Sequence, residues 1–226
     1  MKKNIFLLIA AFTILSLGFT SCAEDTEAVD PYADWQGRNE HYLDSIVDVA
    51  RTNADGSWEI YRNYKVQTDN STAGGGIGGT SITNPYETPA DETDSVYVRV
   101  IKAGDGITPL YTDSVTVYYR GSLINGTVFD QNFQGELDTD VHTPTTFALQ
   151  SSGYDGLVNG WITALQHMQE GEHVMLYIPY DLAYGASGRE NVPGHSVLIF
   201  EMLLEKVIHP KGIEDRSRVA SQQENE

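Results

Sequence analysis

The sequence predicts an α+β fold in which an antiparallel half-barrel sheet wraps on one short helix, with a helical segment ahead of it at the N-terminus. From Ser95 onward, short apolar alternations are separated by turn residues, which is typical of antiparallel strands. Asn125-Gly126 lies between two of these runs and is a strong hairpin signal. One later stretch has apolar residues at helical spacing, namely Leu157, Trp161, Leu165 and Met168.

Six apolar runs are predicted to be the strands of this sheet. They lie at residues 96–100, 115–119, 128–129, 145–149, 174–178 and 197–203. The helix predicted between the fourth and fifth runs is expected to end at Gly171, because glycine is common where a helix stops. Many antiparallel strands with a single helix favour an α+β half-barrel over a parallel-sheet enzyme.

The N-terminal part of the chain has the apolar spacing of an amphipathic helix. The residues with this spacing are Trp35, Tyr42, Leu43, Ile46, Val47 and Val49. A turn signal at 53–56 follows, and then a Tyr-rich run at 58–66 that predicts a strand. This segment is too short to bury much apolar surface alone, so we expect it to pack on a neighbouring part of the chain.

Residues 68–92 are rich in Thr, Ser, Asn and Gly. Glycines within 74–79 formally match a nucleotide-binding pattern, but the residues before them are polar and Pro85 excludes a following helix. We therefore interpret this stretch as a flexible linker. The predicted organisation is a signal peptide at 1–21, a helical and strand segment at 22–67, the linker at 68–92, a folded domain at 93–209 and a disordered tail at 210–226.

The amino end has the pattern of a bacterial export signal. Lys2 and Lys3 precede an apolar run at 5–19, which is shorter than the ~20 residues that a membrane-spanning helix needs. Cys22, the single cysteine, follows closely and resembles the lipid-modified cysteine of bacterial lipoproteins. We expect lipidation at Cys22 and a lipid-anchored membrane protein of the cell envelope, facing the periplasm or the cell surface. The alternative is an ordinary signal peptide with an incidental cysteine.

Charge and composition exclude several kinds of function. The chain has 14 Lys and Arg against 32 Asp and Glu, a formal net charge of -18. Nucleic acid is therefore not an expected partner, because proteins bind its phosphates through Lys and Arg. A single cysteine offers no disulfide or thiolate cluster, and the six histidines lack metal-ligand spacing. Neither a metal nor another cofactor is expected.

Five motifs follow one another in an order that is similar to the FKBP-type peptidyl-prolyl cis-trans isomerases. They are Gly-Asp-Gly at 104–106, VTVYYRG at 115–121, GLVNGW at 156–161, IPYDLAYG at 178–185 and VPGHSVLIF at 192–200. Together with the leader, the chain resembles a lipoprotein form of this family. The resemblance implies isomerisation of X-Pro bonds in proline-containing polypeptide clients, assistance to protein folding in the envelope, and macrolide inhibitors as ligands of the same site.

The resemblance also implies an apolar cup built from particular residues. Tyr119, Asp130 and Tyr184 are the implied catalytic residues. Asp130 is expected to accept a hydrogen bond from Tyr119, and Tyr184 is expected to donate one to the substrate carbonyl. The implied substrate-binding residues are Phe129, Leu157, Val158, Trp161, Val192, His195 and Phe200, with Val192 and His195 at the rim.

An aromatic cup suits this chemistry because rotation about an X-Pro bond needs no nucleophile, metal or proton transfer. The alternative function is a noncatalytic module with the same fold, which binds a client or partner in the cup. Thr145 favours this alternative, since the family often has a pocket aromatic there. The loops at 131–144 and 150–155 are longer than in minimal members and also favour it, whereas Gly194, in place of a frequent proline, bears on substrate preference.

Overall fold

The computed structural model describes residues 30–65, 92–150 and 156–210. Four of the predictions concern residues outside these ranges: the signal peptide, lipidation at Cys22, the linker up to residue 91 and the disordered tail from residue 211. Within the described ranges, no helix is long and apolar enough to cross a membrane.

Two helices and seven strands follow one another along the described residues in an order close to the predicted one. The elements are α1 (Trp35–Thr52), β1 (Trp58–Arg62), β2 (Ser95–Lys102), β3 (Ser114–Ser122), β4 (Val128–Gln131), β5 (Thr145–Ala148), α2 (Asn159–Leu165), β6 (His173–Ile178) and β7 (Leu198–Ile208). Short 3₁₀ turns lie at Glu92–Asp94 and Tyr180–Leu182. All six strands predicted after residue 95 are confirmed, with ends that differ by a few residues.

The strands form one antiparallel sheet in the order β1-β2-β6-β7-β3-β4, and β5 also pairs with β3. β7 pairs with β3 along one edge, from Ser114↔Ile208 to Ser122↔Ile199. β4 and β5 pair with the two halves of the other edge of β3. The predicted α+β fold, an antiparallel sheet wrapped on one short helix, is confirmed.

The main core lies between α2 and one face of the sheet. Alternate residues of the central strands are buried on this face, as the period of two along a strand requires. From the helix and the turn after it, Trp161, Ala164, Leu165 and Met168 pack on them. The strand residues of this core include Val115, Val117, Val174, Leu176, Ile178, Leu198, Met202 and Leu204.

The N-terminal segment covers the opposite face of the sheet. Tyr97 alternates with core residues of β2 and is fully buried under α1, in a cluster with Leu43 and Val47. β1 extends the sheet by pairing with β2, from Trp58↔Arg99 to Arg62↔Ser95. The expectation that this segment packs on a neighbour is confirmed, and the neighbour is the sheet itself. The segment boundaries stay predictions.

Buried hydrogen bonds fix α1 to the residues just before β7. The Asn39 side chain accepts a hydrogen bond from the Val197 amide at 2.8 Å and donates one to the Trp35 carbonyl at 2.7 Å. The Trp35 indole donates to the Ser196 hydroxyl at 2.9 Å. Because the Asn39 and Ser196 side chains are almost fully buried, losing either partner would leave an unsatisfied polar group.

The first strand is shorter than predicted. The run at 58–66 was expected to be one strand, but β1 ends at Arg62. The Asn63 amide then donates to the Asp94 carbonyl, and the Tyr64 amide donates to the Thr163 hydroxyl at 3.3 Å. The second of these bonds attaches the chain after β1 to α2.

The helix α2 is also shorter than its apolar spacing predicts. It begins at Asn159, so Leu157 precedes it, and it ends at Leu165 in a turn that contains Met168. The expected stop at Gly171 is wrong, because this glycine lies in the turn before β6. Its φ of 89° explains why glycine occupies that position, and its amide donates to the Leu204 carbonyl.

Replacing Leu43 with Ala tests whether α1 belongs to the folding unit. Leu43 is 6% exposed against the sheet, so we expect Leu43→Ala to lower the free energy of unfolding by about 2 to 3 kcal/mol in urea. Val49 on the same helix is 50% exposed, and Val49→Ala should change it by less than about 0.5 kcal/mol. Equal stabilities of wild type and Leu43→Ala would show that α1 does not contribute to the core.

Candidate functional site

The site begins with the close approach of α2 to the sheet. Gly160 faces β6 so closely that a Cβ placed on it would lie 2.3 Å from Cγ2 of Ile178. Glycine at this position therefore lets the helix lie directly on the strand. The next residue, Trp161, is held over the core face of the sheet and is 4% exposed.

Three aromatic rings surround the Trp161 indole edge-on. Its centroid lies 5.1 Å from that of Tyr119, 5.5 Å from Phe147 and 5.1 Å from Phe200, with interplanar angles of 82°, 85° and 78°. Edge-to-face packing of this kind is the geometry that aromatic quadrupoles favour. The indole is therefore a fixed floor with aromatic walls around it.

One wall depends on a glycine in β3. A Cβ on Gly121 would lie 2.5 Å from a ring carbon of Phe200 and 2.7 Å from one of Phe129. Those two rings pack edge-on at 5.5 Å across the strand. Gly121 thus leaves the space in which the second layer of the aromatic wall is built.

Asp130 fixes the Tyr119 side chain in the wall of the site through a hydrogen bond. The Tyr119 hydroxyl donates to Oδ2 of Asp130 at 3.2 Å, which is the contact that the resemblance implies. Burial, and then the charge of Asp130, raise the pKa of Tyr119 well above its ordinary value. Burial also raises the pKa of Tyr184, although the nearby Arg189 opposes the shift. Both phenols therefore stay protonated at neutral pH and can act as donors.

These side chains enclose a cavity of about 370 Å³. Seven of the ten residues implied by the resemblance line it: Tyr119, Asp130, Leu157, Val158, Trp161, Tyr184 and Phe200. Phe129 packs behind Phe200 and lines a smaller neighbouring cleft instead. Val192 is buried and lines the two adjoining clefts, and His195 packs on the Tyr180 ring at 4.8 Å.

Sequence reasoning missed Phe147, which is one of the walls around Trp161. Phe147 follows Thr145 by two residues in β5, so both side chains lie on the same face of the strand. Thr145 accepts a hydrogen bond from the Asn132 amide group at 3.1 Å, which gives it a structural contact. Phe147 supplies the aromatic ring that was expected at position 145, and strand alternation is the signal that identifies it.

Arg189 was also missed. It lines the cavity, and its guanidinium carbon lies 5.8 Å from the centroid of the Tyr184 ring. The backbone of Arg189 exchanges hydrogen bonds of 2.8 and 2.7 Å with Val192, which closes the loop at this point. A lone arginine in a glycine-rich loop has no periodic pattern that would have indicated this position.

The arrangement is suited to binding an apolar ring next to a polar amide. The floor and walls are aromatic, and Tyr184 also lines the cavity. Among the described residues, no group of three or more His, Cys, Asp and Glu side chains could hold a metal ion. The chemistry that the side chains themselves offer is non-covalent binding with hydrogen-bond donation.

In a comparison with known protein families, residues 106–205 match the family of FKBP-type peptidyl-prolyl cis-trans isomerases. The chain is 37% identical over 113 residues to the FKBP-type peptidyl-prolyl cis-trans isomerase FkpA of Escherichia coli, covering 50% of this chain and 37% of that one. It is 40% identical over 111 residues to the peptidyl-prolyl cis-trans isomerase Mip of Coxiella burnetii, covering 48% and 43%.

A third relative is the FKBP-type 22 kDa peptidyl-prolyl cis-trans isomerase of E. coli, 40% identical over 112 residues, with 49% of this chain and 48% of that one covered. A crystal structure of a peptidyl-prolyl cis-trans isomerase from Pseudomonas syringae matches with a TM-score of 0.43 and 33% identity, over 53% of this chain and 78% of that chain. The chain thus spans less than half the length of the curated relatives named here. The matched stretch has the FKBP fold and holds every residue of the cavity.

Proposed function

We propose that this protein, with an FKBP-type domain whose sheet is completed by an N-terminal helix and edge strand, is a peptidyl-prolyl cis-trans isomerase that assists protein folding in the bacterial cell envelope. The observation that carries the proposal is the cavity over Trp161, which is walled by aromatic rings and also lined by Tyr184. The isomerase names of the relatives agree with it.

The cavity suits a reaction whose barrier is loss of amide resonance. Rotation about an X-Pro bond meets a barrier of ~18 to 20 kcal/mol in water. The twisted imide separates less charge than the planar amide, so apolar surroundings favour it over the ground state. The Trp161 indole offers a flat apolar surface to the pyrrolidine ring, while Tyr119, Phe147 and Phe200 keep water from it.

Hydrogen bonding orients the substrate in this mechanism. Tyr184, which stays protonated, donates to the carbonyl of the bound peptide and fixes its direction. Asp130 accepts from Tyr119 and so keeps that ring in the wall. Neither Tyr119 nor Tyr184 gives up its proton during the reaction, because isomerisation breaks no covalent bond.

The noncatalytic binding module loses its main support in the structure. It was favoured by Thr145, where an aromatic residue was expected, but Phe147 supplies the ring.

An aromatic cavity of about 370 Å³ also suits macrolide inhibitors, and we propose that they compete with proline-containing polypeptides for it.

Anchoring to a membrane is a separate part of the proposal, and it is supported by the sequence at 1–22. We propose that Cys22 is lipidated and holds the domain on the envelope, facing the periplasm or the cell surface. A lipid group with more than one acyl chain would anchor the protein stably, since burial contributes ~0.8 kcal/mol per CH₂ and a single chain is marginal.

Replacing Tyr184 with Phe tests the proposed function. Wild type should accelerate cis-trans exchange of a Leu-Pro peptide, measured by NMR exchange spectroscopy. Tyr184→Phe keeps the ring and removes one hydrogen bond of ~0.5 to 1.5 kcal/mol, so kcat/KM should fall by about tenfold or less. Tyr177→Phe is the matched control, because Tyr177 packs on Trp58 with the α1 cluster. Equal losses in the two variants would contradict the assigned role of Tyr184.

Replacing Cys22 with Ala tests the anchor. The variant should move from washed membranes to the soluble envelope fraction, because it lacks the thiol that carries the lipid. Ser21→Ala is the control, since it changes the neighbouring residue and keeps the cysteine, and it should remain with the membranes. The protein in each fraction is measured by immunoblotting. If as much Cys22→Ala as wild type remains in the washed membranes, lipid anchoring is contradicted.

A further inference from the structure

A second, more open cleft lies beside the aromatic cavity and shares a wall with it. Leu157, Val158, Tyr184 and Arg189 line both spaces. The cleft has a volume of about 810 Å³. A proline ring that fills the cavity leaves the rest of its peptide outside, so a neighbouring residue must lie in an adjoining space. The shared wall makes this cleft such a space.

Among the described residues that line this cleft, two are cationic, Lys65 and Arg189, and one is acidic, Glu190. The chain as a whole has a formal net charge of -18, so this pair of cations is a local feature. On the other side of Arg189, the described lining of the smaller cleft includes Asp130 and Glu190. Counted over the described residues, the two sides of Arg189 differ in charge, and the Lys65 side is the one suited to a carboxylate.

Both cationic residues stand on backbone that is fixed near the cavity. The amide of Tyr64, next to Lys65, donates to the hydroxyl of Thr163 in α2 at 3.3 Å. The Tyr64 ring stacks on Tyr111 at 5.8 Å, and Nζ of Lys65 lies 5.8 Å from the Tyr64 centroid. Arg189 is set by its backbone hydrogen bonds with Val192, as described above. The Lys65 position thus depends on the helix that carries Trp161, and the Arg189 position on its own loop.

We propose that Lys65 and Arg189 form a subsite for an acidic side chain next to the isomerised proline, so that the protein favours Asp or Glu at that position in its clients. The guanidinium of Arg189 can bind a carboxylate through paired hydrogen bonds, and Lys65 adds a point charge. Lys65 lies outside the matched stretch 106–205, so the N-terminal segment contributes to specificity. This inference rests on the proposed isomerase function.

Peptides with Glu, Gln or Leu placed directly before or after proline test the subsite, with exchange measured by NMR on the full-length protein. At one of the two positions, kcat/KM for Glu should exceed that for Gln by about two- to fivefold, the range expected for a solvent-exposed ion pair. Lys65→Gln should lower this ratio towards one, because the carboxylate loses one of its two cations and keeps Arg189. Lys65→Arg should retain the preference.

Lys102→Gln is the matched control, because it removes the same charge from an exposed position in β2. It should leave the ratio of Glu to Gln unchanged. Equal rates on Glu and Gln peptides at both positions would overturn the subsite, and so would a preference that is undiminished in Lys65→Gln. If the Gln and Leu peptides are still accelerated in those cases, the proposed function stands. If no peptide is accelerated at all, both proposals fail.

Discussion

The seating of α2 on the sheet is the constraint on which the rest of the structure depends. Gly160 has no side chain, and the space that a Cβ would need is filled by Ile178. The helix therefore lies close enough to β6 for the Trp161 indole to meet Tyr119, Phe147 and Phe200 edge-on. A larger residue at 160 would lift the helix, and the floor of the cavity would separate from its walls.

The N-terminal segment supports this arrangement from two directions. α1 buries Tyr97 on the face of the sheet opposite α2, and β1 closes the edge of β2. Within β1, Tyr61 stacks on His167, in the turn after α2, at 4.1 Å and an interplanar angle of 5°. Beyond β1, the Tyr64 amide donates to the hydroxyl of Thr163 in α2. The segment outside the matched family stretch therefore contacts both the sheet and the helix that form the cavity, and it brings Lys65 to the neighbouring cleft.

The sequence predicted most of the fold because strands with one buried face alternate visibly, and because the motifs at 104–106, 115–121 and 178–185 occur in a recognisable order. Positions set by tertiary contacts were harder. The spacing of Leu157 and Met168 suggested a longer helix, since residues in the flanking turns also face the core. Phe147 was missed because the aromatic residue was expected at position 145, two residues earlier in β5. Arg189 and Lys65 are placed by a loop and a turn whose paths no local pattern specifies.

The central claim is that an apolar aromatic floor accelerates rotation about the X-Pro bond. The most direct measurement is the cis-trans exchange rate of a Leu-Pro peptide with wild type and with Trp161→Leu, after urea unfolding has shown that the variant is folded. Wild type should accelerate exchange at about micromolar concentration, and the variant should lose about tenfold or more, because an aliphatic side chain lacks the flat aromatic surface. No acceleration by wild type, or full activity in folded Trp161→Leu, would contradict the account.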